Sequence, residues 1–113
     1  MSRRHRIVWT ERAVRDVEAA LDWVEDENGP EEAARVLDDL EGAIAALRSM
    51  PSRCRVVVEL REHGIRSYRE LLCGPYRVVF RVRGREVVLL AILDHRRDLE
   101  ELLLERALED DGE

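Results

Sequence analysis

The hydrophobic period of this chain changes once, near its middle, and nothing else constrains the fold as strongly. Over residues 30–49 apolar side chains stand at Ala33, Leu37, Leu40, Ile44 and Leu47, at spacings of four, three, four and three. That spacing draws one stripe down an α-helix. Residues 11–27 carry a second helical stripe in Ala13, Val14, Val17, Leu21 and Val24. Between them lies Asn28-Gly29-Pro30, where glycine suits the position after a helix and proline opens the next one. The two segments are expected to pair as an antiparallel hairpin along their stripes. Thr10 is placed to cap the first helix. The β-branched and aromatic residues of Arg6-Ile7-Val8-Trp9-Thr10 read as a short strand before it.

Beyond Met50-Pro51-Ser52 the period becomes two. Tyr76, Val78, Phe80 and Val82 fall on one face of a strand, with Arg77, Val79 and Arg81 on the other. Residues 86–93 are apolar on both faces, the pattern of a central strand covered from two sides. Cys73-Gly74-Pro75 and Arg83-Gly84-Arg85 are the turns between neighbouring strands, and residues 65–72 form the strand before them. The valine-rich residues 55–60 are a short strand or an extended loop, closed by a turn at Glu62-His63-Gly64. Residues 99–108 make a last helix with Leu99, Leu102, Leu103 and Ala107 on one side, and residues 109–113 a frayed tail. The expected class is α+β: a short N-terminal strand, a helical hairpin, a three-stranded antiparallel meander completing a small twisted sheet, and a C-terminal helix. At 113 residues this is one domain, with its core over about 6–99.

Composition then excludes whole classes. The longest apolar run, residues 87–93, is too short to span a bilayer. Met1 to Arg6 run straight into Ile7-Val8-Trp9 without the apolar region of a signal peptide. Two cysteines, Cys54 and Cys73, make neither a disulfide scaffold nor a four-cysteine zinc site, and with His63 and His95 no ligand pair has the usual short spacing. No metal or cofactor is expected, and the setting is expected to be the cytoplasm.

The net charge of -6 is unevenly spread. Residues 1–15 sum to +4, 16–52 to -9, 53–97 to +6 and 98–113 to -7. A basic middle therefore sits between acidic helical segments. All 19 cationic residues are arginine. Codon bias accounts for that as well as a preference for forked guanidinium contacts does. Trp9 and Trp23 are expected in the core or in hairpin packing. Tyr68 shares a face with Arg66 and Glu70, where a partner has access to it.

Five short motifs, taken in order, resemble one family. Ile7-Val8-Trp9-Thr10 leads into the hairpin, and Val58-Glu59-Leu60-Arg61-Glu62 is followed by Gly64-Ile65-Arg66. Then come Arg69-Glu70-Leu71-Leu72, Gly74-Pro75-Tyr76-Arg77-Val78-Val79-Phe80-Arg81-Val82 and His95-Arg96-Arg97-Asp98-Leu99. Together they resemble toxins of the RelE/ParE superfamily of bacterial type II toxin–antitoxin modules, closer to the ParE-like members. The resemblance implies a small sheet carrying the hairpin on one face and a cognate antitoxin as partner. It also implies one of two activities. ParE-like members inhibit DNA gyrase by protein–protein contact and serve plasmid stabilisation; RelE-like members cleave messenger RNA, usually on the ribosome.

Matching the RelE-like site residue by residue places Arg69, Arg77 and Arg97 at cationic positions. Leu71 stands where a second cation is required, and Leu103 near the position of a tyrosine. Two of five elements are thus absent. A YoeB-like site would use Glu59 as base, Arg77 to steady the phosphorane and His95 as acid; the plain reading of His95 is a residue capping the last strand. The expected partner-binding set is Arg69, Arg77, Arg81, Arg96 and Arg97, joined by Leu102 and Leu103 if the last helix is displaced. The alternative for the arginines is cross-strand pairing with Glu59, Glu70 and Glu86. The leading reading is a gyrase inhibitor, with the messenger-RNA endonuclease and an inert antitoxin-binding relative as alternatives.

Overall fold

Thr10 sets the point where the first strand stops and the first helix starts. Its hydroxyl accepts from the Ala13 N–H at 3.2 Å and donates to the Leu89 carbonyl at 2.7 Å. One side chain thereby caps a helix and ties it to the sheet. The computed structural model describes residues 4–94 and 99–110. Among them, β1 is Arg6–Trp9, α1 Glu11–Asn28 and α2 Pro30–Ala46. Gly29 joins the helices at φ +93°, outside the range of ordinary L-residues, and donates to the Glu25 carbonyl at 2.8 Å. Pro30 then opens α2, as the sequence suggests. The helix ends at Ala46, short of the expected residue 49, and a turn leads into a 3₁₀ segment, Pro51–Arg53.

The rest of the sheet follows. β2 is Arg55–Val56, β3 Tyr68–Cys73, β4 Tyr76–Arg83 and β5 Glu86–Asp94, with α4 at Glu100–Glu109. The strand order is β1-β5-β4-β3-β2. β1 lies parallel to β5, and the other neighbours are antiparallel. The meander and the class are therefore as read from the sequence. The valine-rich stretch behaves differently from either expectation. Only Arg55 and Val56 pair as strand, and Val58–Arg61 closes into a helical turn, α3. Val57 marks the switch: its N–H still reaches the Tyr68 carbonyl at 3.1 Å.

The sheet is covered on both faces. On one, α1 and α2 pack Ala13, Val17, Leu40, Ile44 and Leu47 against Tyr76, Val78, Phe80, Val87, Leu89 and Ile92. On the other, α3 and α4 bring Leu60, Leu99 and Leu103 onto Tyr68, Val79, Leu90 and Ala91. Fully burying each of the larger side chains contributes about 1.5–3 kcal/mol. The alternation of β4 holds throughout, with Arg77, Val79 and Arg81 on the α4 side. β5 breaks its own alternation. Val79 pairs with Ala91 and Phe80 with Leu89, so Leu90 has no opposite number. This bulge lets Leu90 and Ala91 both face α4 while Leu89 and Ile92 face the hairpin. The tryptophans depart from expectation: Trp9 is 41% and Trp23 56% exposed. Trp9 sits on the edge strand and Trp23 on the rim of α1, where neither face of the sheet covers them. No helix among the described residues is long and apolar enough to cross a membrane.

Candidate functional site

Arg77 is the second residue of β4, two beyond the Gly74-Pro75 turn, and only 7% of it is exposed. Its Nη1 and Nη2 donate to the two carboxylate oxygens of Glu59 at 2.6 and 2.8 Å. Nε donates to Glu70 Oε1 at 2.8 Å, and Nη2 reaches the same oxygen. Glu70, itself 3% exposed, accepts from Arg55 Nε at 2.6 Å through its other oxygen. Two arginines and two glutamates thus form a neutral, closed network. The register explains it: Glu70 and Arg77 occupy neighbouring strands, Arg55 is paired with Glu70, and the turn α3 swings Glu59 over the top. The paired Arg77 guanidinium holds the Glu59 carboxyl below the ordinary carboxylate range, and the carboxylates raise the Arg77 pKa despite burial. A carboxylate with both oxygens engaged and a lowered pKa is a weak proton acceptor.

Arg81 repeats the theme at the other end of the strand. Its Nε donates to Asp110 Oδ2 at 2.7 Å, and the Tyr68 hydroxyl donates to that same oxygen. Burial, reinforced by Asp110, pushes the Tyr68 phenol well above its ordinary value. Tyr68 is therefore a core residue rather than an accessible one.

α4 is fastened over this face. Leu103 is fully buried and Leu102 half-buried. Arg106 donates to Asp16 Oδ1 at 2.7 Å and Oδ2 at 3.0 Å, and to the Leu90 carbonyl at 3.1 Å. Asp16 Oδ2 also accepts the Ile92 N–H at 3.0 Å. β1 ends opposite Leu89, so these two side chains serve backbone groups of β5 beyond the reach of its parallel neighbour. The pattern held a signal for this. Leu99, Leu103 and Arg106 are spaced by four and three, which sets an arginine in the buried stripe.

Of the candidate residues, Glu59 and Arg77 are brought together, and Arg81 stands two alternations along the same face. Arg69 faces the opposite way, paired across to Phe80 on the hairpin side, and donates to the Cys54 carbonyl at 2.6 Å. His95, Arg96 and Arg97 lie outside the described residues. Arg77, Arg81 and Leu103 are covered by the chain's own side chains, so a partner reaches them only when α4 or α3 moves. Glu59 and Glu70 pair with Arg77, the cross-strand alternative for that arginine, while Asp16, Arg106 and Asp110 complete the networks from outside the expected set. A groove of about 450 Å³ opens between α1 and the upper end of β5, lined by Ala20, Trp23, Tyr76, Ile92 and Leu93 and flanked by Asp16 and Asp94. Burial raises the pKa of both thiols, Cys54 and Cys73, which disfavours the thiolate form. Among the described residues no three His, Cys, Asp or Glu side chains are grouped to hold a metal ion.

A family model described as the ParE toxin of the type II toxin–antitoxin system parDE matches residues 7–99. The chain belongs to the ParE toxin family. Two solved structures share the fold. A chain of the chromosomal ParDE toxin–antitoxin system from P. aeruginosa is 24% identical, with a TM-score of 0.66, covering 80% of this chain and 95% of that one. A chain of the RelBE2 toxin–antitoxin complex from Mycobacterium tuberculosis is 21% identical, with a TM-score of 0.53, covering 80% and 91%. No curated protein sequence matches. The ParE match ends at Leu99, so α4 with its Arg106 and Asp110 anchors lies beyond the matched segment.

Proposed function

We propose that this ParE-family toxin acts in the bacterial cytoplasm by binding and inhibiting DNA gyrase, as part of a plasmid-stabilising or chromosomal module, and is held inactive by a cognate antitoxin. The observation that carries the choice is the state of the nuclease positions. Both oxygens of Glu59 are engaged by Arg77, and Leu103, near the position of a nuclease tyrosine, is sealed in the core. An enzyme that moves protons keeps its base free or poised, and these groups are spent on holding α3 and α4 to the sheet. Inhibition by contact requires no such group.

The test is induction of the toxin without antitoxin, followed by DNA supercoiling and bulk transcript integrity. Altered supercoiling with intact transcripts is expected. Degraded transcripts with unaltered supercoiling would overturn the reading and return Glu59, Arg77 and His95 to the nuclease roles set out above, a case kept alive by the direct Glu59–Arg77 contact. Glu59→Ala with His95→Ala would then have to abolish cleavage. A chain that did neither would be an inert antitoxin-binding relative.

Two surfaces are open to the antitoxin, one in the free toxin and one that α4 uncovers. The groove beside Trp23 is one, with an apolar floor and acidic flanks. Arg81, Leu102 and Leu103, with Arg69, Arg96 and Arg97, form the second set, the first three of which become available as α4 lifts. Hydrogen exchange across residues 99–108, compared with and without antitoxin, separates the two: unchanged protection there confines the antitoxin to the groove side.

A further inference from the structure

The lower end of the sheet gathers arginines from three separate parts of the chain. Arg4 and Arg6 come from the start of β1, Arg48 from the turn after α2, and Arg83 and Arg85 from the β4–β5 turn. Backbone hydrogen bonds hold them side by side. The His5 N–H donates to the Arg48 carbonyl at 2.8 Å and the Arg6 N–H to the Arg85 carbonyl at 2.7 Å. Among the described residues one carboxylate serves this group: Glu86 accepts from Arg83 Nη2 at 2.6 Å and is also bridged to Arg6. Five guanidinium groups against one carboxylate leave four positive charges in excess, in a chain whose total is -6. Arg4, Arg48 and Arg85 are exposed. This is the reverse of Arg77 and Arg81, whose charges the fold has already neutralised.

We infer that this end of the toxin is a docking surface for the phosphate backbone of double-stranded DNA. A guanidinium presents forked donors that match phosphate oxygens, and it stays charged at every physiological pH. Apart from the half-buried His5, the group carries no aromatic side chain on which an unpaired base could stack; the exposed Trp9 and Trp23 belong to the strand edge and the rim of α1. A regular duplex backbone therefore fits better than a single strand, whose binding relies on stacking. The acidic hairpin and the acidic C-terminal segment are repelled by a polyanion, so the molecule approaches it with the arginine end leading. The inference does not depend on which cellular target the toxin attacks, and a negative result here leaves the gyrase reading standing.

The experiment is fluorescence anisotropy of the full-length toxin with a labelled 20-base-pair duplex of arbitrary sequence, over a range of salt concentrations. Four net phosphate contacts give a slope of log affinity against log salt of about -3 to -4. The double variant Arg48→Gln/Arg85→Gln removes two exposed charges that no carboxylate holds, so its circular dichroism and urea midpoint stay at the parent values. It should bind about tenfold more weakly and flatten the slope by about 2. The control Arg15→Gln/Arg35→Gln removes the same charge from the outer hairpin faces and should bind within twofold of the parent. Absence of saturable binding at low salt would overturn the inference, as would equal losses in both double variants. Tighter binding of a single strand of equal length would refute the duplex assignment. Low-salt self-association of the parent, abolished by Arg48→Gln/Arg85→Gln, would instead give the surface to the acidic face of a second copy.

Discussion

Neutralising Asp16 tests a contact that ties both helical layers to the sheet. The carboxylate joins three elements: it lies on α1, pairs both oxygens with Arg106 of α4, and accepts the Ile92 N–H of β5. The side chains of Asp16 and Arg106 are 11% and 8% exposed, so solvent screens the pair little. Asp16→Asn keeps an acceptor for Ile92 and nearly the same shape, but it leaves the buried guanidinium facing a neutral amide. Removing one partner of a buried pair costs about 3–5 kcal/mol. For 113 residues the unfolding entropy is about 0.24 kcal/mol per kelvin, so the melting temperature should fall by about 12–20 °C. Arg106→Gln should cost a similar amount by stranding the carboxylate. The double variant Asp16→Asn/Arg106→Gln restores a neutral hydrogen-bonded pair and should return to within about 2 kcal/mol of the parent, since a buried pair removed whole is often close to neutral. Urea unfolding of the four proteins gives the coupling energy directly. A single-variant loss below about 1 kcal/mol, or a double variant equal to the sum of the singles, would refute the buried-latch account and reduce the pair to a solvated bridge.

Acidification provides a second test, because Arg77 depresses the folded-state pKa of Glu59 below the ordinary 4.5. The stabilisation this confers is complete above the unfolded value and is lost as pH falls through the folded value. Urea midpoints should decline below about pH 4.5, and Glu59→Gln should be less stable at neutral pH with a shallower acid decline. Thr10→Ala removes both the helix cap and the bond to the Leu89 carbonyl, and should cost about 1–2 kcal/mol in urea unfolding. The two glycines of the hairpin should respond with opposite signs, although an added Cβ meets nothing within 4 Å at either. Gly29→Ala forces a side chain into a φ of +93° and should destabilise by about 1–3 kcal/mol. Gly42→Ala, inside α2, should stabilise by about 0.5–1 kcal/mol. Thermal melts of the two separate backbone strain from packing.

What the sequence made legible was governed by local period. The 4-3-4-3 stripe of α2, the proline at its first turn and the alternation of β4 all depend on neighbours a few residues away, and each stands in the structure as read. The side on which Arg77 and Arg81 project follows from the same alternation. Their partners follow only in part: Glu59 and Glu70 stand among the carboxylates expected to pair across strands, but the geometry that brings Glu59 in does not follow, nor does Asp110. Glu59 reaches Arg77 only because Val58–Arg61 coils into a turn that its valine content disfavours, and Asp110 reaches Arg81 only because α4 folds back across the sheet. Asp16 and Arg106 are 90 residues apart, beyond any periodic signal. The tryptophans were misplaced for a related reason. Burial of a large aromatic ring depends on which edge of the finished sheet it occupies, and Trp9 belongs to an outermost strand. The site thus rests on long-range charge pairing, whereas the fold rests on short-range pattern.

The unpaired Leu90 has a bearing on how this family can vary in length. With that residue in place, Ile92 points into the hairpin core and Ala91 beneath α4. Deleting it would restore simple alternation without turning the later side chains over: Ala91, already opposite Val79, would stay beneath α4 and Ile92 would stay in the hairpin core, because the bulge sets two consecutive residues on one face. A homologue one residue shorter at the bulge can therefore keep the character of its next few positions, whereas a deletion elsewhere in β5 would turn the residues beyond it over. Sequence comparisons that slide a gap through this strand for a better score would align residues that face opposite cores.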